Sequence, residues 1–596
     1  MSITPNAAIP RRMSNRALPI LVSLFIAVVA AAVAVPVAIV VILSFQTVTT
    51  IGRGGFTLEN FTTLLGDPST WETLRNTVVF TAGGAALALF LGSLTAWALT
   101  SVNVPLRNFL SVLPVCVLIL PPLVKDPAWI ILFGKDTGLV NLFAHDVLGM
   151  SGSVVNVFSL LGMITVAGFF SAPTAYTILL SPLRGVDRSL LEASRMSGAK
   201  LGRTLFSVVL PLVRPALLSA VTLLVILIAS GFETPVIIGL PGGIKTFIAE
   251  IFESVSSPVN GLNYAAAQAT VYLLITTVLV IVYLRATRNE RRFVAVGGRG
   301  HTHALIEAPV LRWVLFVFVV LYAILGFLAP LGVTILTSFL PYYSAVNGNP
   351  FHDFTLANYA AVFTTPQVRS GIITSGTLAL GVTIGVIFCT TVLAVVALKT
   401  RSRFRRIAEL VAMAPIATPA LVYSVGLLLT VLAIPGLAKA IYGSIGVMYV
   451  AEIIVFLPIA MRLIASSVIQ VQEELLEASR MSGASVLRSV VFVLIPIIRP
   501  ALFYAAAVIF IEAYRQLAAI VLLVASNVSI VPYVSYTFWV SGGYPMLSAL
   551  NIVTLVLPLA VAFLAFGLGN LGRRARPARK AAGAAGRGFE LSMERI

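Results

Sequence analysis

The sequence predicts an all-α polytopic membrane protein with about twelve transmembrane helices, arranged as two parallel six-helix repeats. Three observations lead to this prediction: the composition, the spacing of the apolar segments, and a decamer that occurs twice. Hydrophobic residues make up 59% of the 596 residues and charged residues 10%, whereas a soluble domain carries roughly 45–50% and 25%. The composition therefore excludes a soluble globular enzyme, a disordered chain and a fibrous protein.

Twelve apolar segments are long enough to cross a membrane, since a helix needs about 20 apolar residues to span the hydrocarbon core. Prolines inside several of them are tolerated where neighbouring helices or water satisfy the freed carbonyls. The segments cover residues 20–45, 77–100, 109–133, 154–180, 212–238, 264–284, 311–339, 371–398, 407–434, 445–465, 497–524 and 546–571.

The basic residues are distributed unevenly over the segments between these spans. Twelve spans place both termini on one side, and if that side is the cytoplasm, 32 of the 40 Lys and Arg residues are cytoplasmic. This is a strong positive-inside bias. It accounts for the net charge of +18 without a nucleic-acid partner. The arginine-rich ends are predicted to contact anionic lipid of the bilayer.

An internal repeat defines the organisation of the chain. The decamer LLEASRMSGA occurs at residues 190–199 and again at 475–484. Because six spans per repeat is an even number, the repeats run in parallel about an axis along the membrane normal, and a shared pathway is expected between them. The predicted parts are a cytoplasmic N-terminal tail (1–19), a first half (20–285), a cytoplasmic linker (286–310), a second half (311–571) and a basic cytoplasmic C-terminal tail (572–596).

Both decamers lie between the fourth and fifth spans of their half, on the predicted cytoplasmic side. Ser189 and Glu192 form an S-x-x-E capping-box pattern, which predicts the start of a helix. Glu474 stands in place of the serine in the second copy, so the box is absent there. Gly198 and Gly483 are placed to end each helix in a left-handed conformation.

The two loops resemble the E-A-A-x3-G-x9-I-x-L-P signature of binding-protein-dependent ABC importer permeases. The departures are conservative, with Ser for the second Ala and Val for Ile in both copies, and Ile for Leu in the second. The resemblance implies a type I ABC importer permease fold with coupling loops at about 181–211 and 469–496 that dock onto an ATPase. The docking residues would be Glu192, Ala193, Ser194, Arg195, Gly198 and Pro211 in the first loop, and Glu477, Ala478, Ser479, Arg480, Gly483 and Pro496 in the second.

The same resemblance implies the partners and the location of the chain. The sequence contains no G-x4-G-K-[ST] phosphate-binding motif, so we expect a transport subunit without an ATPase site of its own. No catalytic residue, metal ligand or cofactor is assigned to the chain. ATP and Mg would bind to two copies of a separate ATPase subunit, and a periplasmic or lipid-anchored binding protein would deliver the solute. The location implied is the bacterial cytoplasmic membrane.

Ionisable residues inside the predicted spans are candidates for the translocation path, because each costs at least about 2.5–3.5 kcal/mol to insert. Glu512 and Arg515 are three residues apart on one helix face and could pair. Glu233 and Arg515 are predicted to face one passageway from corresponding helices. Structural pairing is the alternative for each residue. The candidates are Lys125, Asp126, Glu233, Glu452, Glu512 and Arg515.

The fused two-half arrangement resembles the ferric-iron branch of these permeases, with support from GFETPVIIGLPGG at 231–243 and FWVSGGY at 538–544. This resemblance implies ferric iron as the transported solute, while 2-aminoethylphosphonate, thiamine and a polyamine remain open. An ion-coupled secondary transporter is an alternative, since parallel six-helix repeats occur there too. Amphipathic surface loops without a partner are the alternative reading of the two decamers. A membrane enzyme or sensor is not favoured, because the spans carry no catalytic constellation.

Overall fold

The computed structural model of the chain describes residues 17–47, 55–256, 261–287, 308–343, 354–400, 404–434, 436, 441–525, 528–561 and 564. Most of the predicted N-terminal tail and linker, and the whole predicted C-terminal tail, lie outside these residues. The described residues form helices and connecting turns, with one isolated antiparallel bridge between Gln46 and Phe56. The predicted all-α class is therefore confirmed.

The helices follow the predicted spans. The first repeat contains α1 (Ala17–Ser44), α2 (Glu59–Gly66), α3 (Pro68–Ser101), α4 (Arg107–Leu110), α5 (Leu113–Ile119), α6 (Pro122–Phe133), α7 (Leu139–Asp146), α8 (Leu160–Arg184), α9 (Arg188–Met196), α10 (Leu201–Thr204), α11 (Leu210–Ala229), α12 (Phe247–Ser256) and α13 (Leu262–Thr287). The second contains α14 (Pro309–Ala323), α15 (Ala329–Ser338), α16 (Ala357–Thr364), α17 (Pro366–Lys399), α18 (Arg405–Met413), α19 (Ala420–Ala433), α20 (Ile445–Gln470), α21 (Glu473–Met481), α22 (Val486–Ser489), α23 (Ile495–Arg515), α24 (Val531–Val540) and α25 (Tyr544–Val561).

Ten described helices are long and apolar enough to cross a membrane. Two further helix pairs meet the same criterion when taken together, and each is bent at a proline: the pair containing α5 and α6 by 102°, and the pair containing α18 and α19 by 106°. The described residues therefore hold ten spans, or up to twelve if each bent pair is one span. Each of the twelve predicted segments has one of these counterparts. Proline ends the preceding helix because it disfavours helical geometry in the residue before it, and Pro121 and Pro419 lie at the two bends.

The fifth and eleventh spans end earlier than predicted. The sequence predicts spans over 212–238 and 497–524, but α11 ends at Ala229 and α23 ends at Arg515. The apolar residues that follow α11 form a π turn at Pro235–Gly239, and its members are buried inside the protein. Hydropathy overestimates such a span because it scores burial in protein and burial in lipid alike.

The first helix of each repeat packs against the other repeat. Helix α1 lies along α18, α19 and α20 of the second repeat as well as α13 of its own. The Tyr423 hydroxyl donates a hydrogen bond to the carbonyl of Ala32 at 2.8 Å, and a side chain at Gly426 would lie only 2.6 Å from the carbonyl oxygen of Pro36. Helix α14 in turn packs on α3, where the rings of Phe90 and Phe318 meet edge to face. The two repeats are thus interlocked.

A wide helical turn precedes the fifth span of both repeats. The π turns Leu205–Val209 and Val490–Leu494 each end two residues before a proline, Pro211 or Pro496. A proline inside a helix lacks the amide hydrogen and clashes with the carbonyl four residues earlier. A π turn relieves this clash by adding a residue to the turn. Because the distance from the π turn to the proline is equal in the two repeats, both have the same local geometry where the loop enters the span.

Candidate docking loops and transport site

The loops between the fourth and fifth spans contain helices of equal length, which we call the loop helices. Helices α9 and α21 have nine residues each. The glycines that follow them have positive φ angles, +79° at Gly198 and +88° at Gly483. The amide of Ala199 donates to the carbonyl of Ser194 at 3.1 Å, and the amide of Ala484 repeats this bond at 3.2 Å. These are the features of a Schellman ending, so the predicted left-handed glycines are confirmed.

The predicted capping box at the start of the first loop helix is wrong. Helix α9 begins at Arg188, so Ser189 lies inside its first turn rather than before it. The Asp187 carboxylate accepts a hydrogen bond from the amide of Ser189 at 2.9 Å and caps the helix instead. Helix α21 has no side-chain cap, and Glu473 and Glu474 lie in its first turn, where negative charge favours the helix dipole.

A hydroxyl pair links each loop helix to the helix that follows it. The Oγ of Ser194 lies 2.9 Å from the Oγ1 of Thr204, and the Oγ of Ser479 lies 2.9 Å from the Oγ of Ser489. Thr204 and Ser489 end α10 and α22, which lead directly into the π turns. The serine that replaces the second alanine of the signature therefore makes the same contact in both repeats.

The two loop helices expose matching apolar side chains. Met196 and Met481 are both 89% exposed, and Leu190 and Leu475 are 45% and 46% exposed. The predicted docking residues 192–198 and 477–483 lie on these helices or at their ends, although the side chain of Arg195 is outside the described residues. Pro211 and Pro496 lie instead in the first turn of α11 and α23. Such matched, exposed apolar positions are typical of a surface that contacts another protein.

The structure brings five of the six candidate path residues together. Lys125 and Asp126 lie in α6, and Glu233 lies between α11 and the following π turn rather than inside a continuous fifth span as predicted. Coulombic interactions link Lys125 to Asp126, Glu233, Glu512 and Arg515. We call these five residues the charged cluster.

Asp126 is the most deeply buried member of the charged cluster. Its side chain has no exposed surface, and both carboxylate oxygens lie 3.2 Å from the hydroxyl of Thr234, which donates to them. The ammonium of Lys125 lies 4.9 Å from the centre of the Phe170 ring, a cation–π contact. The first repeat therefore surrounds this part of the cluster.

Arg515 joins the charged cluster from the second repeat. It pairs with Glu512 through two hydrogen bonds, Nη2 to Oε1 at 2.6 Å and Nε to Oε2 at 3.2 Å, which confirms the predicted pairing. Its Nη1 donates to the carbonyl of Leu118 in α5 at 2.6 Å. In a regular helix the Leu118 carbonyl would accept from the backbone amide four residues later, but that residue is Pro122, which has no amide hydrogen. Arg515 thus satisfies a carbonyl of the other repeat.

Glu452 does not join the charged cluster. It lies in α20 with no exposed surface, and neither carboxylate oxygen has a hydrogen-bond partner among the described residues. Its place in a translocation path stays a prediction.

Asn551 is a site residue that sequence reasoning missed. It lies in α25, and its Nδ2 donates to the carbonyl of Leu123 in α6 at 2.8 Å. This carbonyl also lacks a helical donor, because the residue four positions later is Pro127. A search for ionisable residues overlooks Asn551, whereas the prolines at 122 and 127 do indicate two carbonyls that need outside donors.

Ten described membrane-crossing helices and two bent helix pairs form two interlocked repeats. Together with the matching loop helices and the charged cluster between the repeats, they define a polytopic permease of duplicated architecture. A family model described as "Binding-protein-dependent transport system inner membrane component" matches residues 84–292. The chain belongs to this family, and it is the membrane-spanning permease of an ABC importer in a fused two-half form.

Two relatives found by sequence agree with this assignment. The chain is 24% identical over 498 residues to the ferric transport system permease protein FbpB of Actinobacillus pleuropneumoniae, covering 81% of this chain and 68% of that protein. It is 30% identical over 254 residues to the sulfoquinovosyl glycerol transport system permease protein SmoG of Agrobacterium fabrum, covering 39% and 76%. A solved bacterial ABC transporter involved in the import of alginate overlaps 42% of this chain and 87% of its own, at 15% identity and a TM-score of 0.33.

Proposed function

We propose that this permease imports ferric iron delivered by an external binding protein. The observation that supports this cargo is the extent of the similarity to the ferric transport permease, which runs over 81% of the chain and so through both repeats. The similarity to the sulfoquinovosyl glycerol permease covers 39% of the chain. Three acidic and two basic residues in the charged cluster also favour a cation over an anion.

Two copies of an ATPase subunit are proposed to bind the loop helices α9 and α21. The identical decamers, the equal Schellman endings and the matched exposure of Met196 and Met481 support this docking. In this arrangement the loops and both termini face the cytoplasm, ATP and Mg bind to the ATPase copies, and no cofactor binds to this chain. A periplasmic or lipid-anchored binding protein would dock on the opposite face.

The charged cluster is proposed to line the translocation path. Its members come from both repeats, and an alternating-access movement changes the contacts between the repeats. Charged residues within a membrane that face an interface of this kind are typical of substrate pathways. Glu452 lies apart from the charged cluster, and the proposed path does not depend on it, since its carboxylate has no partner here among the described residues.

Transport by reconstituted protein tests the proposed cargo and partners. The chain would be purified with its ATPase, incorporated into liposomes and supplied with the iron-loaded binding protein. We expect uptake of radiolabelled ferric iron that requires ATP and survives a proton uncoupler. Uptake of 2-aminoethylphosphonate, thiamine or putrescine in place of iron would contradict the cargo. Uptake that persists without ATP but collapses with the uncoupler would contradict the importer mechanism.

A further inference from the structure

The broken third span is attached to the opposite repeat on both sides of its bend. Before the bend, the carbonyl of Leu118 accepts from Arg515, and after it the carbonyl of Leu123 accepts from Asn551. Both carbonyls lost their helical donors to prolines. The second repeat provides the missing donor in each case, although only the Leu123 carbonyl is buried, where a partner is needed most, whereas Leu118 is 36% exposed.

Asn551 is held in a fixed orientation for this contact. Its side chain is 4% exposed, and its Oδ1 accepts from the hydroxyl of Ser535 in α24 at 3.4 Å. One turn further along α25, Leu555 packs with Leu120 and Val124 beside the bend. The side-chain amide of Asn551 therefore donates to the Leu123 carbonyl in a mostly apolar environment with little access for solvent.

Arg515 is held in the same way by its own repeat. Its two hydrogen bonds to Glu512 fix the guanidinium plane, which leaves Nη1 directed at the Leu118 carbonyl 2.6 Å away. The side chain of Arg515 is 17% exposed. A charged donor makes a stronger hydrogen bond than a neutral one.

The hydrogen bond by which the first repeat holds the same helix is weaker, and it acts beside the contacts of Lys125 and Trp129 with the Phe170 ring. Asp126, three residues after Leu123, accepts from the Thr234 hydroxyl at 3.2 Å to each oxygen. One proton is shared between two acceptors at this length, and shared hydrogen bonds are individually weaker than the 2.6 Å and 2.8 Å bonds to the second repeat. A movement between the repeats has to break either the hydrogen bonds of this helix to the first repeat or those to the second.

We propose that Arg515 and Asn551 are positioning residues that make α6 move with the second repeat during transport. Asp126 then separates from Thr234 when the repeats move apart, and its carboxylate becomes free to face the cargo. This inference rests on the proposed location of the translocation path. It assigns the cluster members of α6 to the same moving body as Glu512 and Arg515, although they belong to different repeats of the sequence. Glu233, which is adjacent to Thr234, stays with the first repeat.

Asn551 has two functions that need to be separated: it links α6 to the second repeat, and it supplies a hydrogen-bond donor to the Leu123 carbonyl. Replacing a proline separates them. Asn551→Leu removes the donor, and Pro127→Ala restores an amide four residues after Leu123 that can bond within α6. The complex of the permease with its ATPase would be reconstituted in nanodiscs. Its melting temperature and its ATP hydrolysis stimulated by the loaded binding protein would then be measured.

We expect Asn551→Leu to lower the melting temperature and to reduce stimulated hydrolysis about tenfold. The double variant Asn551→Leu/Pro127→Ala should recover the melting temperature but not the hydrolysis, because an intrahelical bond does not connect the repeats. Pro127→Ala alone should stay near the wild type, since the Leu123 carbonyl has a second lone pair for Asn551. Recovery of hydrolysis in the double variant, or its loss in Pro127→Ala alone, would overturn the proposal.

Thr234→Val gives a second test that does not depend on the proline variants. The bond from Thr234 to Asp126 has to open in each cycle, so its loss should leave stimulated hydrolysis within about twofold of the wild type. A larger loss than that of Asn551→Leu would show that α6 belongs with the first repeat. A permease that hydrolyses ATP but imports no ferric iron would contradict the cargo alone, since this readout is hydrolysis.

Discussion

The two repeats are alike in their loops and different in their interior. The loops share ten consecutive residues, the same glycine conformation, the same hydroxyl pair and the same exposure of methionine. The prolines of the two bends are 298 residues apart, as are FTLEN at 56–60 and FTLAN at 354–358 between the first two spans of each repeat. At that offset, Tyr423 and Ser424 stand in the places of Lys125 and Asp126.

This difference shows which surfaces the duplication kept. The loops are proposed to meet two copies of one partner, and equal partners require equal surfaces. The interior surrounds a single passage, so the two repeats can contribute different side chains to it. Tyr423 accordingly bonds to α1 of the other repeat, and the second repeat contributes its charges at Glu512 and Arg515 instead.

The largest effect is expected when the interior of the first repeat is made to resemble the second. Lys125→Tyr with Asp126→Ser removes two members of the charged cluster, and transport should fall at least about tenfold, or about 1.4 kcal/mol. Iron uptake and abundance in the membrane would be measured together. The same dipeptide occurs at Lys135 and Asp136, which are exposed, so Lys135→Tyr with Asp136→Ser is the matched control. Equal losses in both variants would contradict a path role.

A smaller but still large effect is expected from the glycines of the loops. Gly198→Val with Gly483→Val forces a β-branched residue into a positive φ, at a cost of about 1–2 kcal/mol at each site. No heavy atom lies within 4 Å of an added side chain at either position, so strain alone acts. Stimulated ATP hydrolysis should fall about tenfold while membrane insertion is kept.

Gly202 provides the control for this pair. It lies in the same loop without a positive φ and in open space, and the second repeat has Leu487 at the corresponding position. Gly202→Leu should leave hydrolysis unchanged. A loss as large as that of the glycine pair would indicate general sensitivity of the loop rather than a required turn.

The hydroxyl pairs predict a moderate effect that is equal in the two repeats. Ser194→Ala or Ser479→Ala removes one hydrogen bond, worth about 1 kcal/mol, and should lower stimulated hydrolysis about fivefold. Ser197→Ala and Ser482→Ala are controls, because these hydroxyls bond only to carbonyls of their own helices. Unequal effects of the first two variants would show that the similarity of the loops does not extend to their function.

The smallest effect on transport is expected at Glu452, the charge that lies apart from the cluster. Glu452→Leu replaces a buried carboxyl without described partners by an apolar side chain, which should stabilise the protein by about 1–3 kcal/mol. Thermal unfolding should shift upward while iron uptake stays near the wild type. Stabilisation with lost uptake would instead support a role for Glu452 in another state of the cycle.

Much of this architecture could be predicted from the sequence because its signals are local or repeated. The span lengths, the decamers, the glycine turns and the pairing of Glu512 with Arg515 each depend on residues close in the chain. The cap at Asp187 was missed because a shift of only two residues moves Ser189 from the cap into the first turn. Asn551 and the packing of α1 on the second repeat were missed because they depend on contacts 391 to 428 residues apart.

The interlocking of the first helices has a consequence for synthesis in the cell. Helix α1 is made first, yet its partner surface on α18 and α19 emerges from the ribosome nearly 400 residues later. Helix α1 therefore enters the lipid well before this surface exists and can first pack on α13 of its own repeat. Because both halves form one polypeptide, the surface on α18 and α19 is tethered to α1. In two separate chains these surfaces would have to meet by diffusion.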